Sequence, residues 1–158
     1  MIREIARAAI IISALWVAVS CDSGTMYEYT FDMPGEKWNR DSVLIFKVGV
    51  TDTITPHNIL FLNRITGQYL YSNMFLFITI EAPDHSHQTD TLECLLADKS
   101  GKWLGRGFGS VWSNSIVYKR NVVFPQNGTY TFYIEQAMRV ENLPHVLDAG
   151  LKIEKTNR

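Results

Sequence analysis

Cysteine is nearly absent: Cys21 and Cys94 are the only two in 158 residues. Two thiols cannot build the disulfide framework of a small secreted scaffold. Charge of either sign is also sparse, with 15 Lys and Arg against 16 Asp and Glu and a net charge of −1. Without a basic cluster the chain lacks the electrostatic footprint of a nucleic-acid binder, and a membrane surface would gain little from it by charge alone. Internal repeats and low-complexity segments are missing. No apolar stretch reaches the roughly 20 residues that a membrane-spanning helix requires. Phosphate-loop and nucleophile-elbow spacings also fail. Gly101-Lys102 is followed by Trp103 and not by Ser or Thr, and Gly107-Phe108-Gly109-Ser110-Val111 ends on Trp112 where an elbow needs glycine. Carboxylates are plentiful, but none are spaced to single out a general acid and a base. No enzyme, cofactor or small-molecule substrate is expected, nor any deep polar pocket.

The N-terminus carries the first positive signal. Arg3 and Arg7 precede an uncharged, almost wholly apolar run, Ala8 to Val19, which has the length of a signal-peptide core. Ala18-Val19-Ser20-Cys21 follows. This tetrapeptide resembles the lipobox of bacterial lipoproteins, in which cleavage before the cysteine leaves its thiol to carry a diacylglyceryl group. Ala18 stands where that motif usually has Leu. Residues 1–20 are accordingly expected to be a helical signal peptide that is removed, Cys21 to be the lipidated residue, and residues 21–26 to be a short tether. Each buried CH₂ contributes about 0.8 kcal/mol, so two or more acyl chains anchor stably.

The 138 residues from Cys21 onward amount to one domain. Apolar–polar alternation at period two recurs through them, the pattern of a half-buried antiparallel strand. Strands are expected at Tyr27–Met33, Val43–Thr51, Asn58–Ile65, Met74–Ile80, Thr89–Leu96, Ile116–Phe124, Thr129–Glu135 and Ala149–Ile153. Leu44, Phe46, Val48 and Val50 should face inward with Lys47 outward. Pro34-Gly35, Pro83-Asp84, Ser100-Gly101 and Asn127-Gly128 supply turns. Only Glu135–Asn142 has helix-compatible chemistry, for about two turns. The expected fold is one all-β domain over residues 27–155, a single antiparallel sandwich of jelly-roll or immunoglobulin-like type.

Within that frame Cys94 shares a side with Leu92 and Leu96 and reads as a buried small hydrophobe. His85-Ser86-His87 with Glu81, Asp84 and Asp90 is the best metal-like cluster, yet it lies at a hairpin tip and reads as a solvated loop; no metal is expected. The alternate glycines Gly105, Gly107 and Gly109 suit a strand where another group approaches the backbone closely. Met74–Ile80 is apolar on both faces. Such a strand is either central and covered on its outer side, or presents an aromatic strip to a partner. On the second reading Phe75 and Phe77, with Tyr69, Tyr71 and the Trp103 loop nearby, form a candidate partner surface, to which Trp38 and Trp112 could add.

Longer runs carry a family resemblance. They are Trp38 with Asp41-Ser42-Val43; Tyr71 to Ile78 (YSNMFLFI); Asp90 to Glu93; Leu96-Ala97-Asp98-Lys99 with Gly101-Lys102-Trp103-Leu104-Gly105; Phe124-Pro125 with Gly128-Thr129-Tyr130; Ile134 to Arg139; and Gly150 to Lys155. On these the chain resembles the gliding-motility lipoprotein GldH family over about Tyr27 to Lys155. The resemblance implies a non-enzymatic, lipid-anchored protein of the cell envelope, in the outer membrane facing the periplasm. It also implies a role with other envelope lipoproteins in motility machinery linked to type 9 secretion. In such bacteria O-glycans are attached at Asp-Ser/Thr followed by an aliphatic residue or Thr. Asp41-Ser42-Val43, Asp52-Thr53-Ile54 and Asp90-Thr91-Leu92 resemble that pattern, which makes Ser42, Thr53 and Thr91 candidate acceptors. The alternative function is an envelope sandwich that binds glycan through exposed Trp and Tyr.

Overall fold

The computed structural model describes residues 24–156. The signal segment and Cys21 lie outside the described residues. Eleven strands follow in order: β1 Thr25–Asp32, β2 Lys37–Asn39, β3 Leu44–Val50, β4 His57–Thr66, β5 Asn73–Glu81, β6 His87–Leu95, β7 Arg106–Phe108, β8 Val111–Val122, β9 Gly128–Gln136, β10 Asn142–Pro144 and β11 Val146–Lys155. One turn of 3₁₀ helix, Pro34–Glu36, separates β1 from β2. β1 opens at Thr25, inside the stretch read as tether.

All pairings are antiparallel. A five-stranded sheet runs β1-β11-β4-β8-β7, a four-stranded sheet runs β3-β9-β5-β6, and β10 pairs with β2 in a short ribbon. The period-two alternation produces this arrangement directly. β3 reads buried and exposed by turns from Leu44 to Val50, with Lys47 outward. On β5, Met74, Leu76 and Ile78 are buried. They pack with Phe46, Phe132 and Ile134 of the same sheet and with Ile59, Phe61, Leu151 and Ile153 of the other. Facing sheets pack about 10 Å apart, so these two rows of side chains fill the interior. Cys94 is fully buried among them, and burial pushes its thiol up to about 12. That leaves almost no thiolate at neutral pH to react.

The segment read as helix-compatible, Glu135–Asn142, holds no helix. β9 continues to Gln136, and β10 begins at Asn142. The buried Gln136 side chain fixes the path between them. Its Nε2 donates to Val140 O at 2.9 Å, and its Oε1 accepts the Met138 amide at 2.9 Å. β10 then sets Leu143 opposite Trp38 on β2, and both side chains are fully buried. Local helix chemistry is overridden by long-range pairing. Trp38 thus belongs to the core and not to any surface: its ring stacks on Phe61 at 6.4 Å, and its Nε1 donates to Ser42 O at 3.0 Å.

Candidate functional site: the two ends and the outer faces

Cross-strand register sorts the exposed residues. The outer face of the four-stranded sheet presents Phe75, Phe77 and Thr79 from β5, out of phase with the buried row. Phe77 is 46% exposed. Phe75 is half-buried and receives Met138, whose Sδ lies 3.3 Å from the Phe75 amide. Tyr71, Asn73, Phe75, Met138, Arg139 and Val140 line a groove of about 530 Å³ there.

Trp103 is placed differently from the phenylalanines. It is half-buried, with its ring 6.4 Å from Tyr69, and Tyr69 in turn is edge-on to Tyr71 at 5.7 Å. Its neighbours Leu70 and Leu104 are the exposed ones, at 71% and 57%, and Phe108 is 91% exposed. These three were missed in the sequence. Phe108 was the most legible of them, since Gly107 and Gly109 on either side leave it no adjoining side chain to pack on. A Cβ at Gly107 would stand 2.7 Å from the Trp112 ring, and one at Gly105 would stand 2.4 Å from Asn114 Oδ1. Gly105 and Gly107 are therefore where side chains lie against the backbone, as expected, whereas nothing stands within 4 Å of a Cβ at Gly109. Gly109, at φ +61°, turns the β7–β8 hairpin, and Ser110 O accepts the Gly67 amide at 2.8 Å. That bond ties the Phe108 tip to the turn carrying Leu70. Leu70, Leu104 and Phe108 thus expose apolar side chains at one end of the sandwich, among the exposed Gln68, Lys99 and Lys102.

On the outer face of the five-stranded sheet, two neighbouring rows cross the strands. One is Asp32, Asp148, Arg64, Ser113 and Arg106; the other is Thr30, Gly150, Leu62 and Ser115. An open trough of about 550 Å³ runs along them and is walled at one end by Leu95, Leu104 and Gly105. A trough that sets charged side chains within a largely apolar lining was not expected from the sequence. Its fixed element is an ion pair between Arg64 and Asp148. The Asp148 side chain is 3% exposed, while that of Arg64 is half in solvent.

The remaining sequence candidates separate cleanly. His85 Nδ1 lies 2.8 Å from Glu81 Oε1 at the hairpin tip, and among the described residues no three His, Cys, Asp or Glu side chains converge as a metal site would need. Ser42 and Thr91 are exposed, whereas Thr53 is half-buried. Asp52 Oδ1 accepts the amides of Ile54 and Thr55, each at 2.9 Å, which is ordinary Asx-turn chemistry. Those bonds, with the Thr55 hydroxyl foremost, hold the Asp52 carboxyl down at about 2. Trp112, like Trp103, is half-buried.

The fold and surface define a small antiparallel β-sandwich with exposed apolar side chains at one end and an open trough on one outer face. A family model described as GldH lipoprotein matches residues 25–153. A relative from Christiangramia forsetii, named gliding motility lipoprotein GldH homolog, is 33% identical over 145 residues, covering 87% of this chain and 88% of that protein. Gliding motility lipoprotein GldH of Flavobacterium johnsoniae is 31% identical over 159 aligned positions, covering 96% and 98%. Among solved structures, the K1 cleaved adhesin domain of Lys-gingipain from Porphyromonas gingivalis W83 superposes with a TM-score of 0.37 at 12% identity, covering 82% of this chain and 91% of that one. That likeness is too distant to carry an argument. The chain belongs to the GldH lipoprotein family, and so to the lipid-anchored proteins of the cell envelope.

Proposed function

We propose that the protein is a non-enzymatic component of gliding-motility machinery linked to type 9 secretion, anchored through lipid on Cys21 to the outer membrane and facing the periplasm. Its task is to dock another protein of that machinery. The single observation that supports this reading is the separation of two ends. The chain enters at Gly24, beside Lys155, while Leu70, Leu104 and Phe108 are exposed at the opposite end. A lipoprotein held at one end and apolar at the other is suited to bridging a membrane to a partner. Phe75 and Phe77 on the adjoining face extend the docking surface, and Trp103 supports it from beneath. Truncating one of the few hot-spot residues at the centre of a docking surface typically costs 2 kcal/mol or more, roughly thirtyfold in affinity.

The glycan-binding alternative needs exposed, coplanar aromatic rings. It loses support because Trp38 is buried and Trp103 and Trp112 are half-buried.

Two experiments test the reading. Cys21→Ser should abolish uptake of labelled fatty acid; a variant that still took up label would refute the anchor. The double variant Leu104→Ser/Phe108→Ser, produced in the native host, should remain folded by circular dichroism and lipidated, yet lose colony spreading and secretion. Normal spreading and secretion by that folded variant would remove the apolar end from the function.

A further inference from the structure

Three loops close the end of the sandwich where the chain enters. Gly24 O accepts the Lys155 amide at 2.8 Å, and the next amide, of Thr156, donates to Pro56 O at 3.0 Å. The first described residue therefore lies beside the 51–56 loop between β3 and β4. β3 ends with Val50 opposite Gly128, which adds the 123–127 loop. Gln126 Nε2 donates to Asp84 Oδ2 at 3.2 Å, which adds the β5–β6 hairpin tip. In this ring of loops Ile54 is 85% exposed and Val123 45%. The Asp52 carboxylate bonds already described fix the turn that carries Ile54, so its side chain is presented and not merely loose.

Cys21 precedes Gly24 by three residues. An extended chain spans at most about 3.6 Å per residue, so a lipid on Cys21 leaves Gly24 within about 11 Å of the point of attachment. Strands β4 and β11 have ten residues each, which at a rise of about 3.3 Å per residue makes the domain about three times longer than that reach. The loops around Ile54 are thus the part held against the bilayer. A single helix with its side chains is about 10–12 Å across, so the tether leaves no room for a partner domain between loops and lipid.

We infer that the 51–56 loop, led by Ile54 with Val123 beside it, dips into the interface of the bilayer that carries the Cys21 lipid and sets the domain upright, its apolar far end pointing away. The inference rests on the Cys21 anchor proposed above. The contact is apolar and not electrostatic. Arg120 and Lys155 are exposed at this end, but Asp52 and Asp84 accompany them, and the Lys119 ammonium is taken by Asp90 at 2.7 Å. A lone exposed isoleucine cannot hold a protein on a membrane. Here the lipid has already supplied a high effective concentration, and Ile54 need only bias the tilt. A glycan on Thr53 would hold Ile54 off the lipid, so the two are incompatible.

The test uses the full lipidated chain in phosphatidylcholine vesicles containing brominated acyl chains. An environment-sensitive fluorophore is placed at Ile54→Cys and, for comparison, at Leu70→Cys; buried Cys94 does not compete for the label. The Ile54 probe should shift to shorter wavelength and be quenched at low and high salt alike, and the Leu70 probe should do neither. Equal quenching of both probes, meaning a domain lying on its side, would overturn the inference. So would quenching of neither. A probe at Val123→Cys should lose its shift when Ile54→Asp is added, while the protein still floats with the vesicles; an unchanged shift would remove Ile54 from the contact. Fatty-acid incorporation is read separately, because a chain that carries no lipid fails to float at all. That outcome refutes the anchor itself and the inference with it.

Discussion

Phe77 on β5 and Thr91 on β6 are direct cross-strand partners, so ring and hydroxyl rise side by side from the outer face of the four-stranded sheet. Paired side chains of this kind have Cβ atoms about 4.5–5.5 Å apart. A glycan on Thr91 would therefore lie over Phe77, and glycosylation and docking at that point compete. In protein from its native host, Ser42→Ala and Thr91→Val are each expected to remove one glycan from the intact mass, while Thr53→Val, half-buried in its Asx turn, removes none. An intact mass accounting only for polypeptide and lipid would end the glycosylation proposal.

The strand register is tested by a contrast within the four-stranded sheet. Leu76 is fully buried and Lys47 is exposed. Leu76→Ala is expected to cost about 2–5 kcal/mol, through lost transfer energy plus the cavity left behind. Lys47→Ala should cost less than about 0.5 kcal/mol. Urea unfolding of the two variants checks both, and similar midpoints would contradict the packing.

Arg64 and Asp148 face each other across β4 and β11. Removing the arginine leaves a carboxylate buried without its cation, which typically costs about 3–5 kcal/mol. Because the Arg64 side chain is half in solvent, Arg64→Met is expected to fall below that range, at about 1–3 kcal/mol. Adding Asp148→Leu should restore much of the loss, because an apolar pair of similar volume carries no desolvation penalty. If the double variant were no more stable than the single one, the ion pair would not be what Arg64 contributes.

Eight strands were legible from alternation in consecutive residues, most plainly where one face is buried throughout, as from Leu44 to Val50. β2, β7 and β10 were not. Each has three residues, too few to show a period, and β2 and β10 exist because Trp38 and Leu143 meet across about a hundred positions of sequence. The same long-range pairing defeated the helix reading at Glu135–Asn142. Of the partner surface, Phe75 and Phe77 were legible from their phase on β5. Trp103 drew attention by residue type, while the exposed positions proved to be its neighbours. Residue type says nothing about which member of a loop turns inward; that is decided by the Tyr69 ring beneath it. The trough along Arg64 and Asp148 was invisible, since its rows are assembled from five strands.

Asp90 ties acid sensitivity to one side-chain cluster. Lys119 donates to its carboxylate at 2.7 Å and Tyr118 at 2.5 Å, and with Lys119 as the larger cause they hold the Asp90 carboxyl below its ordinary range. A depressed folded-state value means the stabilisation is fully present above the ordinary carboxylate pKa of about 4, and is lost as pH falls through the folded value. In unglycosylated protein, Asp90→Asn should therefore be less stable than the parent at neutral pH, and the two should converge as pH falls below the ordinary carboxylate range. Parallel curves of urea midpoint against pH would show that Asp90 contributes nothing through its charge.

Trp103 and Phe108 lie near the same end of the sandwich and should respond oppositely to substitution. The half-buried Trp103 ring packs against Tyr69, and its segment is pinned by a bridge to Ala97 and by the Leu104 amide donating to Leu96 O at 2.9 Å. Trp103→Ala should lower stability by somewhat less than the ~3–5 kcal/mol of a fully buried tryptophan, and Trp103→Phe should recover part of it. Phe108 is almost wholly in solvent, so Phe108→Ser should change stability by less than about 0.5 kcal/mol. In the native host the expected outcome is therefore split. Phe108→Ser melts like the parent and spreads poorly, whereas any defect of Trp103→Ala follows its loss of folded protein and is eased by Trp103→Phe. Thermal melting and spreading measured on the same strains decide the matter. Should Trp103→Ala prove as stable as the parent and still abolish spreading, Trp103 would itself be a contact residue and not the support beneath one.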